Sequence, residues 1–109
     1  MEVKTPREFF EEVLSKRFNP SRAAGVDIIV QINIIGPNGG NWIVTVKDQK
    51  IETKEGTHPS PTLLVQMTEK DYMDVINGKL GGEKAFMTGK LHFKGNVAIA
   101  LRLKEMGFL

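Results

Sequence analysis

The sequence contains no cysteine, which excludes disulfide bonds, thiolate metal ligands and a cysteine nucleophile. It also contains no apolar run close to the roughly 18 residues that a membrane-spanning helix requires. The first eight residues, MEVKTPRE, are too highly charged for a secretory signal peptide. We therefore expect a protein of a reducing compartment, the cytoplasm.

Histidine is scarce as well, since His58 and His92 are the only two. Neither has a second histidine at metal-ligand spacing, so we expect no metal site. The Gly-Lys pairs at 78–79 and 89–90 lack the earlier glycine of a phosphate-binding loop. Ser60 is flanked by prolines rather than by the glycines of a nucleophile elbow. We therefore expect no cofactor and no enzymatic activity.

The size and composition are those of one globular domain spanning residues 1–109, with 40% hydrophobic and 26% charged residues. The net charge of +2 is unevenly distributed, because residues 79–104 contain six basic residues and one acidic residue, a local charge of +5. The remainder carries nine basic and twelve acidic residues, or −3. The segment 79–104 is therefore predicted to face anions.

Nucleic acid is not the expected anion. Lys90 and Lys94 alternate with Phe93 on a predicted strand, so the aromatic ring points away from the cations, unlike in a nucleic-acid-binding sheet. An alternative reading of these lysines is protection of an edge strand against pairing with other chains.

Periodicity and turn residues predict the order of the elements. The predicted elements are a helix from the capping box at Thr5 to Asn19, strands near 26–34, 42–46, 51–53 and 63–67, a helix from Thr68 to Gly78, a short helix at 83–87, a strand opening at Gly89, and a helix capped by Asn96. This order predicts an α+β fold, with a five-stranded mixed, mainly antiparallel sheet covered on one face by helices.

The last predicted helix is apolar on two sides. At about 100° per residue, Ile99, Leu103 and Met106 share one side, and Val97 and Leu101 lie nearly opposite. A helix packed on a sheet needs only one apolar stripe. The second stripe is therefore predicted to contact a bound apolar molecule, a partner subunit or a membrane surface, unless neighbouring helices cover both sides.

Four segments form a distinctive series when they are taken together. They are residues 36–42 (GPNGGNW), 61–72 (PTLLVQMTEKDY), 77–79 (NGK) and 85–96 (AFMTGKLHFKGN). In order and spacing, this series resembles the sterol carrier protein type-two family over roughly residues 8 to 105. The resemblance implies an apolar tunnel between sheet and helices that takes a fatty acid, an acyl-coenzyme A ester, a sterol or an isoprenoid. It implies lipid binding and transfer without catalysis.

The resemblance and the apolar pattern together predict the site residues. The predicted tunnel wall comprises Phe10, Leu14, Ile76, Phe86, Met87, Val97, Leu101 and Met106. An anionic head group is expected near Lys90, Lys94, Arg102 or Lys104. Transient contact with an anionic membrane surface and a homodimer are further expectations, and nucleic acid is not expected as a partner. The alternative is a non-catalytic accessory or dimerisation domain with the same fold and a filled cavity.

The sequence also departs from the family pattern at three places. Thr88 stands where many members have glutamine, and Gln49 stands where the second hairpin usually has glycine. The sequence ends at residues 107–109, without the tail that often covers the tunnel. These departures predict a pocket that is more open, shallower or collapsed.

Overall fold

The computed structural model describes residues 2–108. Its first helix begins where the capping box predicts, since the Thr5 hydroxyl accepts the Glu8 N–H at 3.1 Å. This helix has three consecutive parts, which are α1 (Pro6–Glu8), a π-helical segment (Phe9–Val13) and α2 (Leu14–Arg17). The wider π-helical turn places Phe9, Phe10 and Leu14 together in the core. A short 3-10 helix follows at Pro20–Ala23.

Five strands form one mixed sheet, as predicted, and their order across the sheet is β3-β2-β1-β4-β5. The strands are β1 (Ile28–Ile35), β2 (Gly40–Lys47), β3 (Lys50–Glu55), β4 (Leu63–Thr68) and β5 (His92–Lys94). The β1–β4 pair is parallel and the other three pairs are antiparallel. The sheet is therefore mainly antiparallel, with β3 and β5 at its two edges.

The turn between β2 and β3 has two residues in the left-handed conformation. Asp48 has a φ of 53° and Gln49 has a φ of 60°. Two residues of positive φ are typical of the tight hairpin turn whose twist matches that of the flanking strands. Gln49 thus adopts the conformation that glycine would adopt more easily at this position.

The remaining helices are α3 (Glu69–Ile76), α4 (Gly82–Met87) and α5 (Val97–Met106). Thr68 caps α3 as predicted, because its hydroxyl accepts the Asp71 N–H at 3.2 Å. The Asn96 side chain caps α5 by accepting the Ala98 N–H at 2.7 Å. The helix α5 ends at Gly107, whose φ of 104° favours glycine.

The core lies between the helices and one face of the sheet. It is rich in aromatic side chains, since the rings of Phe10 and Trp42 stack at 5.0 Å and those of Phe10 and Tyr72 at 5.8 Å. The Tyr72 hydroxyl donates to the Phe108 carbonyl at 3.2 Å. This bond fixes the segment after α5 against α3.

The face of β1 that points away from the helices carries polar residues, but it is not fully exposed to solvent. Gln31 is only 2% exposed, because the loop of residues 56–62 crosses this face. The Gln31 amide donates to the Gly56 carbonyl at 3.0 Å, and its oxygen accepts the His58 N–H at 2.7 Å. Gln31 is therefore a polar residue that a distant loop buries.

The fifth strand is shorter than predicted. It was expected to open at Gly89, but pairing with β4 begins only at His92. The N–H groups of Lys90 and Leu91 both bond to the Ala85 carbonyl, at 2.8 Å and 3.0 Å. These bonds close the end of α4 and keep residues 89–91 out of the ladder.

Candidate functional site

An apolar groove of about 270 Å³ lies between α4, β5 and α5, at one edge of the sheet. Its lining residues are Gly82, Glu83, Phe86, Met87, Leu91, Phe93, Val97, Ala100, Leu101 and Lys104. Eight of these ten are uncharged, so the groove offers an apolar surface with two charges.

The spacing of residues along α5 and β5 explains which side chains point into the groove. Val97 and Leu101 are four residues apart on α5, so they lie one above the other on one side of that helix. On β5, Phe93 alternates with the exposed His92 and Lys94 and points into the groove. Its ring lies 5.1 Å from that of Phe86 on α4, which joins the walls from α4 and β5.

The groove is open to solvent along its length. Phe86 is 53% exposed, Met87 82%, Val97 60% and Leu101 57%. The second apolar stripe of α5, anticipated from periodicity, is therefore left uncovered by the described residues of the chain. The other stripe packs inward, with Leu103 and Met106 fully buried. The alternative in which neighbouring helices cover both sides of α5 does not occur.

Lys104 and Glu83 supply the charged groups of the lining. Lys104 follows Val97 by seven residues and Leu101 by three, so it continues their side of α5 toward the end of the helix. Among residues 2–108, neither Lys104 nor Glu83 belongs to an ion pair. The Lys104 ammonium group is thus available to a bound anion.

The structure brings half of the predicted tunnel wall together. Phe86, Met87, Val97 and Leu101 line the groove. The other four predicted residues, Phe10, Leu14, Ile76 and Met106, are at most 3% exposed and belong to the core. Because core packing and ligand contact require the same apolar side chains, hydrophobicity alone did not separate the two groups.

Only one of the four predicted cationic residues lies in the groove lining. Lys104 lines the groove, whereas Lys90, Lys94 and Arg102 are exposed outside the lining. The Arg102 guanidinium group donates to the Arg22 carbonyl at 2.8 Å. This bond directs Arg102 toward the 3-10 helix.

Sequence reasoning missed several lining residues, above all Leu91, Phe93 and Ala100. The alternation of Phe93 with two lysines already indicated which way its ring points. Its placement beside α5, however, depends on the antiparallel pairing of Val65 with Phe93.

Two other surface cavities are more polar in character. One, of about 330 Å³, is lined by Phe10, Trp42 and charged residues that include Glu11 and Glu55. The buried indole N–H of Trp42 has no hydrogen-bond partner among the described residues. The other, of about 380 Å³, lies beside Ile35 and the start of α3. No cluster of three His, Asp or Glu side chains that could hold a metal ion occurs within 2–108.

The model of the SCP-2 sterol transfer family matches residues 8–106. The chain belongs to this family. The resemblance seen in the sequence is thereby confirmed, and the domain is of the lipid-binding and lipid-transfer class. No helix within residues 2–108 has the length and apolarity needed to cross a bilayer.

Curated relatives of this SCP-2 domain are much longer proteins. Hydroxysteroid dehydrogenase-like protein 2 from Rattus norvegicus is 32% identical over 80 residues, which cover 72% of this chain and 15% of the rat protein. The Homo sapiens protein of the same name is 34% identical over 80 residues, or 19% of its length. The SCP-2 domain therefore spans less than a fifth of these relatives.

Solved structures share the SCP-2 fold. Palmitated SCP2L2 from Aedes aegypti superposes with a TM-score of 0.71 at 27% identity, covering 94% of this chain and 93% of that one. The sec-alkylsulfatase Pisa1 from Pseudomonas sp. gives a TM-score of 0.78 at 21% identity, covering 97% of this chain and 16% of the enzyme. The same fold thus occurs both as a small separate chain and as part of a long enzyme.

Proposed function

We propose that this SCP-2 domain binds one long-chain fatty acid in the groove between α4, β5 and α5, and carries or presents it without chemical change. The observation that supports this most directly is the uncovered apolar lining, in which Phe86, Met87, Val97 and Leu101 are each more than half exposed. Burial of an acyl chain contributes about 0.8 kcal/mol per methylene group. The groove thus supplies the attraction that lipid binding needs.

The size of the groove favours a single chain over a bulky ring system. Its 270 Å³ lies just below the range of about 300–1,000 Å³ typical of pockets for drug-sized ligands. An open groove of this volume accommodates one flexible chain and leaves part of it in solvent. The Aedes aegypti relative was solved in palmitated form, which agrees with a fatty acid here.

The carboxylate end of the lipid is proposed to lie beside Lys104. This lysine is the basic residue of the lining and follows Leu101 along α5. Lys90 directly precedes the lining residue Leu91 and remains a candidate for a larger head group such as that of an acyl-coenzyme A ester. Lys94 alternates with Phe93 on β5 and therefore points to the opposite side of the strand. Contact of the ligand with Leu14 or Met106 would require α5 to move away from the core.

Titration of delipidated protein with a fluorescent fatty acid tests the proposal. We expect a dissociation constant in the micromolar range or below, and a loss of at least about tenfold in Leu101→Asp, which places a charge in the lining. Ile35→Asp is the matched control, because Ile35 is 55% exposed and lies at the separate cavity beside α3. Absence of binding, or equal loss in both variants, would contradict the assignment.

A second candidate is an accessory domain that docks on an enzyme or on another copy of itself. The observation in its favour is that relatives carry this domain as 15% to 19% of a longer chain. In that case Leu101 would lie in a protein interface. Light scattering distinguishes the two functions, because a stable dimer that dissociates in Leu101→Asp and takes up no fatty acid supports only the second.

A further inference from the structure

The methionines of this domain differ widely in exposure. Met67 and Met106 are buried in the core, and Met73 is partly buried beside the cavity at the start of α3. Met87, the last residue of α4, is 82% exposed. Among residues 2–108 it is therefore the methionine whose thioether sulfur is most accessible to a dissolved oxidant.

Met87 also belongs to the apolar lining of the groove. A thioether is apolar and flexible, so it packs readily along an acyl chain. Oxidation of the sulfur to a sulfoxide makes the same side chain polar. Covering that oxygen with a hydrocarbon chain removes it from water and is unfavourable. Oxidation of Met87 is therefore expected to weaken lipid binding.

Few other side chains compete with Met87 for an oxidant. The chain contains no cysteine, whose thiolate is the side chain that peroxides oxidise most readily. The aromatic residues Trp42 and Tyr72 are at most 2% exposed. A mild oxidant acting on the folded chain should therefore react at Met87 before it damages the core.

We propose that Met87 is a site of reversible oxidation that lowers the affinity of the groove for lipid. Hydrogen peroxide is the oxidant: the sulfur donates an electron pair to one peroxide oxygen, an S–O bond forms, the O–O bond breaks, and the other oxygen leaves as water. The sulfur is oxidised and the peroxide is reduced. The inference rests on the proposed function, since it concerns regulation of the same groove.

The reverse step requires thiols from another protein, because this chain has none. A methionine sulfoxide reductase supplies them. Two thiols are oxidised to one disulfide, the S–O bond breaks, and the sulfoxide oxygen leaves as water. Met87 then regains its apolar thioether and the groove regains its affinity.

Oxidation of Met87 should leave the fold intact. At the end of α4, the Thr88 N–H donates to the Lys84 carbonyl at 2.9 Å, and the Gly89 N–H donates to the Phe86 carbonyl at 3.2 Å. These backbone bonds do not involve the thioether, and an exposed side chain contributes little to stability. A loss of lipid affinity can therefore be measured separately from unfolding.

Treatment of delipidated protein with dilute hydrogen peroxide tests the proposal. Peptide mass spectrometry locates the added oxygen, and titration with a fluorescent fatty acid measures affinity before and after treatment. We expect Met87 to be oxidised before Met67, Met73 and Met106, and the dissociation constant to rise about fivefold with no change in the urea midpoint. Methionine sulfoxide reductases A and B with dithiothreitol should restore the affinity, since each enzyme reduces one sulfoxide epimer.

Variants assign the effect to one sulfur atom, and each variant is compared with itself before treatment. Met87→Leu should keep its own affinity after peroxide, because leucine has no sulfur to oxidise. Met73→Leu is the matched control outside the groove and should lose affinity as the unchanged protein does. Met87→Gln places a polar group in the lining and should bind more weakly without any peroxide. Equal losses in Met87→Leu and the unchanged protein would overturn the proposal.

Bound lipid provides a second readout. An acyl chain in the groove covers part of Met87, so a saturating fatty acid should slow oxidation of Met87 and leave that of Met73 unchanged. Protein that binds no fatty acid before peroxide treatment would contradict the proposed function and this inference with it. Normal binding that is unaffected by oxidation of Met87 would overturn the inference alone.

Discussion

Single polar residues inside this domain anchor segments that have little apolar surface of their own. Gln31 holds the loop 56–62 across the sheet through its bonds to Gly56 and His58. Its amide also donates to the Asn33 side chain at 2.9 Å, so the buried amide is well satisfied. Removal of such a residue leaves its buried partners unpaired, which costs more than the bond itself contributes.

Gln31→Ala is therefore expected to lower the free energy of unfolding by about 2–3 kcal/mol and to speed amide exchange at His58. Urea denaturation and hydrogen exchange measure the two effects. Gln66→Ala on the neighbouring β4 is the matched control, since Gln66 is exposed and should change stability by less than about 0.5 kcal/mol. A loss of similar size in both variants would show that the amide bonds of Gln31 are unimportant.

Tyr72 is a buried titratable residue, and its burial raises the pKa of the phenol above its ordinary value, against a smaller opposing effect of the Arg17 charge. Below the unfolded pKa of about 10 the phenol is neutral in both states, so its contribution to stability is complete. At higher pH the unfolded chain loses the proton while the folded chain keeps it. Stability contributed by Tyr72 is therefore lost as the pH rises.

Comparison of Tyr72→Phe with the unchanged protein isolates this effect, because all other titratable groups are shared. At neutral pH the variant should be less stable by about 1 kcal/mol, since the bond to the Phe108 carbonyl is lost. Above pH of about 10 that difference should shrink, and then reverse in sign. The midpoints of urea denaturation of both proteins, measured over the alkaline pH range, test this prediction. A stability difference that stays constant with pH would contradict the raised pKa of Tyr72.

At the scale of elements, some apolar residues of α5 pack in the core and others line the groove. Leu103 is fully buried in the core, and Leu101, two residues earlier, is 57% exposed beside the groove. The two leucines have the same chemistry and differ only in the side of the helix they occupy. They offer a matched pair for separating folding from binding.

Leu103→Ala should lower the free energy of unfolding by about 2–5 kcal/mol, because it leaves a cavity in the core. Leu101→Ala should change it by less than about 0.5 kcal/mol in the lipid-free protein, since a largely exposed residue contributes little to stability. Its fatty-acid affinity should instead fall several-fold. Denaturation and fluorescence titration of both variants measure these effects, and a large stability loss in Leu101→Ala would place that residue in the core.

At the scale of the whole molecule, core and groove lie at different parts of the sheet. The core is covered by the first helix and α3, while the groove lies at the β5 edge, between α4 and α5. A ligand at this edge joins α4 to α5 and stabilises the folded state by mass action. Lipid binding should therefore raise the melting temperature.

Ala100→Phe tests that coupling, because Ala100 lines the groove and a larger side chain would fill it. A fatty acid at 100 times its dissociation constant should stabilise the unchanged protein by about 2.7 kcal/mol, a shift of roughly 10–20 °C for a domain of this size. The shift should disappear in Ala100→Phe and persist in Ala98→Phe, whose site on α5 is exposed and outside the lining. Calorimetry with and without lipid measures this shift in melting temperature. Equal shifts in Ala100→Phe and Ala98→Phe would place the ligand outside the groove.

The sequence by itself determined the order of the elements, the helix caps at Thr5 and Thr68, and the two-sided apolar pattern of α5. These features depend on periodicity and on hydrogen bonds between residues three or four positions apart, which are local in the chain. The local pattern also predicted that Val97 and Leu101 lie nearly opposite the buried side of α5, but it left open whether neighbouring helices would cover them.

Only the tertiary structure decided which apolar residues form the core and which line the groove. Phe10 and Phe86 look alike in the sequence, but one stacks on Trp42 and the other is 53% exposed beside Phe93. Likewise, Gln31 is buried only because a loop more than 20 residues away crosses its face of the sheet. Hydrophobicity sets how much surface a chain tends to bury, whereas the packing of distant segments decides which surface remains open.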